Sequence, residues 1–514
     1  METQNKIKVL LLNPPTAAVS KEPILSLAYL ATSLRKAGHI AKIVYATAPY
    51  NSLDEKQTER VIADFQPTFI GVTLTIDYIP YTYVFLNRLR KMGIPIVAGG
   101  PHASALPEEV LKNGVDIVVI GEGEDTVSEL ADYFSGKIAL NDINGICFKD
   151  TEGKVSFTAQ RKLIENIDSI PFPDFSDFPI RNYTGREDAS SNPRFWSIFS
   201  SRGCPFNCTF CSSHNVFGRS VRFRSPENIL HEINNLAEKF GARIITFQDD
   251  EILSSKKRFL ELCDLIIKSG LKIKMSIRTR INSIDREILL RGKEAGLKRI
   301  SFGIESWNDE TLAKINKGYN AKLIHEKFKM IAEVEFPSVS FNIICGWPWE
   351  NGIHYEDHYR QVLKIPQSIA YFTGIVTPIP YPKTKLYDDY YRQFGFVDWW
   401  LNPDSHLMNN KSKVRNPFFK NFAFEMTTLY FKEMRFWHYP KRTQKDIDKF
   451  SWRIFKLFLR RHLNFYNFIA IFYLCRLSHF LWKMSPTLES ILFYPLRKTR
   501  IVNQSNKVSF IFQN

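Results

Sequence analysis

The fold of this chain is most constrained by two successive series of short apolar segments, each alternating with helix-like segments. The first series lies within residues 1–150 and the second begins at Trp196. Strands that alternate with helices in this way predict parallel sheets with helical crossovers. In the first series the predicted strands are Ile7–Leu12, Ala41–Tyr45, Thr68–Thr73, Pro95–Ala98 and Asp116–Ile120, and the predicted helices are Leu25–Ala37, Asp54–Asp64, Tyr81–Lys91, Pro107–Lys112 and Thr126–Phe134. We therefore predict a doubly wound, Rossmann-like α/β domain over residues 1–150.

The carboxyl ends of these predicted strands carry the candidate binding residues of the first domain. Ligands of doubly wound sheets bind outside those ends, and glycine there lets the backbone approach a ligand closely. Tight strand-to-helix turns are the alternative explanation of the same glycines. No G-x-G-x-x-G pattern follows the first strand, which disfavours a dinucleotide. The candidate residues are Asn13, Thr73, Gly99, Gly100, His102, Gly121, Glu122 and Gly123.

The second series predicts a partial (β/α)6 barrel over residues 196–390. We predict that the Pro-containing, irregular stretch at 151–195 is a linker between the two domains. Active sites of such barrels form at the C-terminal ends of the strands. The six predicted strands are Trp196–Ser200, Arg243–Gln248, Lys272–Ile277, Arg299–Ile304, Ser338–Cys345 and Tyr371–Thr377.

The charge distribution and the number of cysteines indicate the cellular compartment of the protein. The chain has 514 residues and a net charge of +16, but residues 411–514 hold 20 Lys/Arg against 5 Asp/Glu and so carry almost all of it. The N-terminal apolar stretch is too short for a signal peptide, and no run of 18 apolar residues predicts a spanning helix. Seven cysteines are too few for a secreted disulfide scaffold. We therefore expect a cytoplasmic protein.

Three of the seven cysteines lie within eight residues, just past the first predicted barrel strand. Cys204, Cys208 and Cys211 form a C-x3-C-x2-C pattern. Three thiolates on one loop can hold three corners of an iron–sulfur cluster and leave one iron open. A structural zinc site is the alternative, because four-ligand closure would be possible with the nearby His214.

The cysteine segment resembles the signature of radical S-adenosylmethionine (SAM) enzymes, with an aromatic residue before the last cysteine. Gly303-Ile304-Glu305-Ser306 and Gly346-Trp347-Pro348-Trp349-Glu350 are similar to further segments of that superfamily and occur in the same order. The resemblance implies that the three cysteines bind a [4Fe–4S] cluster whose open iron takes SAM. The SAM-binding residues that it implies are Gln248, Asp249, Ser276, Arg278, Glu305, Gly346 and Glu350.

The first domain resembles the cobalamin-binding subclass of the same superfamily. The resemblance lies in Gly99-Gly100-Pro101-His102 and Gly121-Glu122-Gly123-Glu124, on a doubly wound sheet that precedes the barrel. The Asp-x-His-x-x-Gly motif that supplies a histidine to cobalt is absent from the sheet, since the one Asp-x-His is Asp404–His406. His102 either faces the corrin or caps the following helix.

What the resemblance implies is an enzyme in which cofactors carry the hard chemistry. The reduced cluster cleaves SAM, the 5′-deoxyadenosyl radical removes hydrogen from an unactivated carbon, and methylcobalamin supplies a methyl group to a hydrophobic substrate. The first alternative is a non-methylating reaction, such as that of the anaerobic magnesium-protoporphyrin IX monomethyl ester oxidative cyclase. The second is a non-catalytic sensor that binds cobalamin or a cluster.

Residues 391–514 are predicted to form a mainly helical, basic region rich in aromatic residues. Residues 411–514 contain 24 of the 71 aromatic residues, and Phe450–Met484 is the clearest helical stretch. Basic residues mixed with aromatics favour peripheral contact with the inner face of a membrane, and a packing domain with a solvated basic face is the alternative. No nucleic-acid recognition motif is present, so we expect no nucleic-acid partner. The implied radical chemistry also requires a one-electron donor of the flavodoxin or ferredoxin type.

Overall fold

The computed structural model describes residues 6–16, 23–47, 52–178, 195–350, 358, 361, 364–365, 370–376, 378–395 and 397–402. The chain divides into two compact units, and residues 302–379 of the described chain belong to the second. The predicted C-terminal region 391–514, including the basic segment 411–514, lies outside the described residues from position 403 onward.

A seven-stranded sheet organises the first 157 residues. Its strand order is β2-β1-β3-β4-β5-β6-β7, with β1 to β5 parallel and β6 and β7 antiparallel to their neighbours. The strands are β1 Lys8–Asn13, β2 Ile40–Tyr45, β3 Phe69–Thr73, β4 Ile96–Gly99, β5 Ile117–Val119, β6 Ile146–Lys149 and β7 Val155–Phe157. The helices are α1 Leu25–Lys36, α2 Glu55–Phe65, α3 Ile79–Leu89, α4 Pro101–Ala105, α5 Pro107–Lys112 and α6 Glu124–Phe134.

This architecture confirms the doubly wound domain and extends its sheet. The buried faces of β1 and β3 to β5 are apolar, as strands covered by helices on both faces require. The sequence did not predict β6 and β7, and β7 falls in the stretch that we expected to be an irregular linker. Helix starts follow local chemistry, as at α2, where Asp54 accepts from the Gln57 amide at 2.8 Å and the Gln57 side chain bonds back.

The second strand–helix series begins within the first unit. Strands β8 Phe195–Ile198, β11 Ile244–Phe247 and β12 Lys274–Thr279 are parallel neighbours in that order. The short strands β9 Ser201–Arg202 and β10 Arg222–Phe223 pair antiparallel and bracket the cysteine segment. The remaining elements of this part are α7 His214–Phe217, α8 Pro226–Phe240, α9 Lys256–Ser269, α10 Arg286–Glu294 and β13 Leu297–Glu305, with which the chain passes into the second unit.

The second unit continues the same alternation. Its helices and strands are α11 Asp309–Lys314, α12 Ala321–Glu333, β14 Val339–Ile344 and β15 Ala370–Val376, and the two strands pair in parallel. The chain then returns to the first unit with α13 Lys385–Phe394. Single 3-10 turns occur at Arg90–Met92, Leu140–Asp142, Ile167–Ser169, Ile252–Ser254, Ile281–Ser283 and Trp399–Leu401. Each of the six predicted barrel strands therefore has a counterpart in the structure.

Candidate functional site

A cavity of about 630 Å³ lies at the carboxyl ends of the central strands of the first sheet. Its deep wall is apolar and includes Leu11, Phe69, Val97 and Leu130. Cavities of this size that are mostly apolar and have a few polar groups are typical of cofactor sites. The cavity wall also includes most of the predicted binding residues of the first domain, namely Thr73, Gly99, Gly100, Gly121, Glu122 and Gly123.

Glycine is required at the mouth of this cavity for steric reasons. Gly100 has φ of +98°, and a Cβ there would lie 3.0 Å from both the Leu74 carbonyl oxygen and Thr73 Oγ1. Deeper in, a Cβ on Gly71 would lie 2.9 Å from Leu11 Cδ2. The positive φ of Gly100 is what requires glycine there, whereas a side chain at Gly71 would make the flexible end of Leu11 shift. An open, apolar cradle of this kind fits a large planar corrin with an apolar base.

Two of the predicted contacts, Asn13 and His102, lie away from the cavity wall. Asn13 is buried and its side-chain amide donates to Thr47 Oγ1 at 2.6 Å. The ring of His102 lies 3.0 Å from both Tyr83 Oη and Glu109 Oε1, and Trp400 donates to the other oxygen of Glu109 at 2.7 Å. His102 Nε2 is therefore held in a buried network with Tyr83 and Glu109, and a contact of His102 with the corrin stays a prediction.

Although burial opposes ionisation of Glu109, hydrogen bonds from His102, Trp400 and Tyr83 hold the pKa of its carboxyl below the usual value. The carboxylate thus stays charged and fixes the His102 ring. The hydrogen bond to this charged carboxylate gives the His102 imidazole a structural role.

We expect cobalamin in this cavity to lack a histidine ligand on cobalt, because no histidine is among the described residues that line it. Electron paramagnetic resonance of protein loaded with cob(II)inamide, a corrin without the nitrogenous base of cobalamin, should then show no nitrogen superhyperfine splitting. A clear nitrogen splitting would contradict this expectation, and its loss in His102→Ala would identify the ligand.

The three cysteines lie on one loop whose entry is fixed by a glycine. Gly203 has φ of +92°, and a Cβ there would lie 2.3 Å from the Ser220 carbonyl oxygen, so only glycine fits. Cys204, Cys208 and Cys211 are half-buried and unbridged. Burial raises the pKa of the Cys204 thiol to about 11, so thiolate ligation at neutral pH requires the positive charge of a metal.

Glu122 and Glu124 attach this loop to the first domain. Arg202, two residues before Cys204, donates to Glu122 at 2.8 Å and also to Glu124. Arg222, on the paired strand β10, donates to the other oxygen of Glu122 at 2.7 Å. All four side chains are buried, and Arg202, Glu122 and Glu124 also line the cavity. The predicted corrin-binding segment therefore holds the cysteine loop against the cavity.

Asp249 supports the same loop from the end of β11. Its buried carboxylate accepts from the Ser200 amide at 3.1 Å, from Ser200 Oγ at 2.7 Å and from Ser201 Oγ at 2.5 Å. Arg258 donates to the Ser200 carbonyl at 3.1 Å and to its hydroxyl at 3.0 Å. These contacts hold the loop entry in place, and a contact of Asp249 with SAM stays a prediction.

Gln248 and Arg278 form a polar edge of the cavity. Arg278 donates to Gln248 Oε1 at 3.1 Å, Gln248 donates to Ser197 Oγ at 3.0 Å, and all three residues line the cavity. Ser276 lies on β12 opposite Thr246. The predicted SAM residues Gln248 and Arg278 thus share one wall with the predicted corrin residues.

Sequence reasoning missed Arg280 and Glu251. Arg280 donates to Cys208 Sγ at 3.2 Å, and its guanidinium lies 3.9 Å from the centroid of the Phe206 ring. Glu251 is buried and accepts from the Arg280 amide at 2.9 Å. The signal was present in the sequence, since Glu251 ends the polar run after β11 and Arg280 ends the polar run after β12.

The second unit contains the other predicted SAM residues. Glu305 has φ of +64°, a strained value for a residue with a side chain, and its carboxylate lies 3.4 Å from the buried Lys317 Nζ. Glu350 accepts from the Gly346 amide at 2.8 Å and from Thr311 Oγ1 at 3.1 Å, with no exposed side-chain surface. Glu350 therefore closes the turn that begins at Gly346, whereas strain marks Glu305 as a candidate ligand-binding residue.

The structure also bears on Cys345, one of the four cysteines outside the loop, and on the zinc alternative. Cys345 is fully buried, and burial raises the pKa of its thiol well above the usual value, which disfavours a nucleophile. The His214 imidazole hydrogen-bonds with the backbone at Cys211 and Lys383. In the described part of the chain, no group of three or more His, Cys, Asp or Glu side chains is already arranged as a metal site.

The fold and the site define a class of enzyme with a cofactor cavity on a Rossmann-like sheet beside a three-cysteine loop on a β/α series. A B12 binding domain model matches residues 17–131, and a Radical SAM superfamily model matches residues 198–362. An uncharacterized methyltransferase of Pyrococcus horikoshii is 33% identical over 392 residues, which cover 74% of this chain and 83% of that protein. The anaerobic magnesium-protoporphyrin IX monomethyl ester cyclase of Rubrivivax gelatinosus is 26% identical, over 84% and 78% of the two chains.

A solved structure shares the fold. The radical SAM methyltransferase TsrM of Kitasatospora setae, with cobalamin and a [4Fe–4S] cluster bound, superposes with a TM-score of 0.62 at 18% identity, over 76% of each chain.

This chain belongs to the radical SAM enzymes that carry a B12-binding domain. Its cofactors are accordingly a [4Fe–4S] cluster, SAM and cobalamin. Enzymes of this superfamily act on small molecules and need a one-electron donor. Among the described residues, no helix combines the length and the apolar character that crossing a bilayer demands.

Proposed function

We propose that this enzyme is a C-methyltransferase that acts on an unactivated carbon of a hydrophobic small molecule. The observation that carries the proposal is the shared wall of the cavity and the cysteine loop, where Arg202 both lines the cavity and immediately precedes Gly203-Cys204. This arrangement supports two cofactors that act on one substrate. The methyltransferase that is 33% identical supports the same reaction class.

The cofactors supply a carbon radical from SAM and a methyl group from methylated cobalamin. We assign Cys204, Cys208 and Cys211 to three irons of the cluster, which leaves one iron for SAM. The wall formed by Thr73, Gly99, Gly100, Gly121 and Gly123 would hold the corrin, and its apolar floor would exclude water. Exclusion of water protects a reactive radical from side reactions.

For SAM we retain Ser276, Arg278 and Glu305 as proposed contacts. Ser276 and Arg278 are alternate residues of β12 and so lie on one face of the strand, and Arg278 lines the cavity. A guanidinium can bind a carboxylate with two parallel hydrogen bonds. We also propose Gln248, Asp249, Gly346 and Glu350 as SAM-binding residues, whose contacts described above hold these segments in place.

Product analysis tests the reaction. The reconstituted full-length enzyme is incubated without oxygen with dithionite, methylcobalamin, SAM carrying a deuterated methyl group, and a hydrophobic cell extract. We expect 5′-deoxyadenosine together with a product that carries the deuterated methyl group. Formation of 5′-deoxyadenosine with an oxygen-containing new ring would instead support a cyclase, which the 26% identical relative keeps as the second candidate. Absence of 5′-deoxyadenosine would leave the non-catalytic sensor.

We further propose a flavodoxin or ferredoxin as the electron donor.

We also propose that the enzyme is cytoplasmic and contacts the membrane surface through residues 411–514. The support for the membrane contact is the excess of 20 Lys/Arg over 5 Asp/Glu and the 24 aromatic residues in that segment. Each basic residue near an anionic surface contributes about 1 kcal/mol, and the attraction is screened by salt.

Liposome binding tests the membrane contact. Anionic vesicles should bind the full-length protein at low salt and release it at high salt, while neutral vesicles bind poorly. Changing Lys456, Arg460 and Arg461 to Gln should weaken binding and leave iron and cobalamin content unchanged. If wild-type protein ignores anionic vesicles at low salt, the segment has a packing role.

A further inference from the structure

The side chain of Arg280 contacts a sulfur atom of the cysteine loop directly. Its guanidinium donates to Cys208 Sγ at 3.2 Å. The same group lies over the Phe206 ring, with 3.9 Å between the guanidinium carbon and the ring centroid. A cation over an aromatic face is attracted by the ring quadrupole. The loop residue Phe206 therefore guides the positive charge toward the sulfur of the second cysteine.

The position of Arg280 is fixed from behind by a buried carboxylate. Glu251 is 1% exposed and accepts from the Arg280 amide at 2.9 Å and from the Thr279 hydroxyl. Arg280 Nε also donates to Asn282 Oδ1 at 3.3 Å. The side chain is 7% exposed, so water screens its charge weakly. A held, poorly screened cation acts strongly on a neighbouring sulfur.

We propose that Arg280 is a positioning residue that raises the reduction potential of the iron–sulfur cluster through its hydrogen bond to Cys208. The inference rests on the proposed ligation by Cys204, Cys208 and Cys211. Hydrogen bonds to cluster sulfurs and nearby charge are among the factors that set such potentials. One-electron reduction adds one negative charge to the cluster, and a charge-assisted N–H···S bond strengthens as the sulfur becomes more negative. The reduced state is thus stabilised more than the oxidised state, which eases electron uptake from the external donor.

The test is a redox titration of the full-length, anaerobically reconstituted protein, followed by the low-temperature electron paramagnetic resonance signal of the reduced cluster. At the potential where the wild type is half reduced, Arg280→Gln should show a ratio of reduced to oxidised cluster that is about tenfold lower. For a one-electron couple this change equals about 59 mV. Arg280→Lys retains the charge but loses the planar fork, so its ratio should lie between the two.

Arg291→Gln is the matched control for this titration. Arg291 lies on α10, and its guanidinium donates to Asp264 and Glu294 at the surface. The control should titrate like the wild type. A wild-type midpoint in Arg280→Gln at full iron content, or an equal shift in Arg291→Gln, would overturn the proposal.

Iron content distinguishes this proposal from the one on which it rests. If wild-type protein fails to take up four irons, the proposed ligation by the three cysteines is refuted, and the role of Arg280 is not. If Arg280→Gln does not assemble the cluster, the redox titration of Arg280→Lys tests the proposal instead. A midpoint potential of Arg280→Lys equal to that of the wild type would then count against a role for the hydrogen bonds of the guanidinium.

Discussion

Replacing Cys204, Cys208 and Cys211 together by alanine is expected to abolish iron binding and the brown absorption of the anaerobically reconstituted protein. The reason is that the thiolates are the ligands, and an iron–sulfur cluster has no other soft donors on this loop. The loss should be complete, because each cysteine is assigned to a different iron. Iron and acid-labile sulfide per chain, together with the visible spectrum, measure it.

A matched control replaces Cys147 and Cys263, which are buried thiols outside the loop. Cys147 lies on β6 and Cys263 on α9, and buried cysteines behave as small apolar residues. This variant should keep four irons. Four irons in the triple variant would refute the assignment, and stoichiometric zinc in freshly purified wild-type protein would favour the structural zinc site with His214.

Glu122→Gln is expected to lower the free energy of unfolding by about 3–5 kcal/mol, since removing one partner of a buried ion pair leaves an uncompensated charge. Arg202 and Arg222 are both buried and both donate to this carboxylate. Thermal unfolding should shift by roughly 10 °C, given a few degrees per kcal/mol for a domain of this size. The shift should be accompanied by weaker retention of iron, because Arg202 holds the entry of the cysteine loop.

Glu129→Gln provides the control for this prediction. Glu129 pairs with Arg161, but its side chain is 37% exposed, and such pairs contribute about 0–1 kcal/mol. A melting temperature of Glu122→Gln no lower than that of Glu129→Gln would contradict the role of the buried clamp.

The ion pairs of Glu122 with Arg202 and Arg222 also predict how the stability of the protein changes with pH. Although burial opposes ionisation of Glu122, hydrogen bonds from Arg222 and Arg202 hold its pKa below the usual value. A depressed folded-state pKa stabilises the protein above the ordinary glutamate pKa of about 4.3, and this stabilisation is lost as pH falls through the folded-state value. The difference in melting temperature between wild type and Glu122→Gln should therefore be constant near neutral pH and shrink in acid. A difference that grows in acid would contradict this account.

The sequence predicted the strands and longer helices well because their signals are local. Short runs of four to six mostly apolar residues indicated β1 to β5, and the structure places each within a few residues of its expected position. Strands β6 and β7 were missed because they pair antiparallel and follow one another without an intervening helix, so they do not fit the strand–helix alternation that indicated the others. Helix Pro101–Ala105 was missed because Gly-Gly-Pro reads as a turn and five residues show no helical period.

For the site residues, too, the sequence predicted local features better than contacts between distant segments. Glycines at strand ends were expected on the cavity wall, because a doubly wound sheet binds ligands at that edge and close approach requires a missing Cβ. The roles of charged residues were less visible. The partners of Glu122, Arg202 and Arg222, lie 80 and 100 residues further along the chain, and no local pattern indicated them. The hydrogen bonds of Asp249 with Ser200 and Ser201 likewise join residues that are far apart in the sequence.

The sequence by itself determined the two β/α series, the cysteine spacing and the glycine positions, since each follows from local backbone preference or from ligand chemistry within a few residues. Only the tertiary structure decided which buried charges meet. It paired Arg202 with Glu122, His102 with Glu109, and Arg280 with the sulfur of Cys208. The physical reason is that a buried charge must find an opposite charge or a hydrogen bond, and the candidates for that partner come from every segment that the fold brings together.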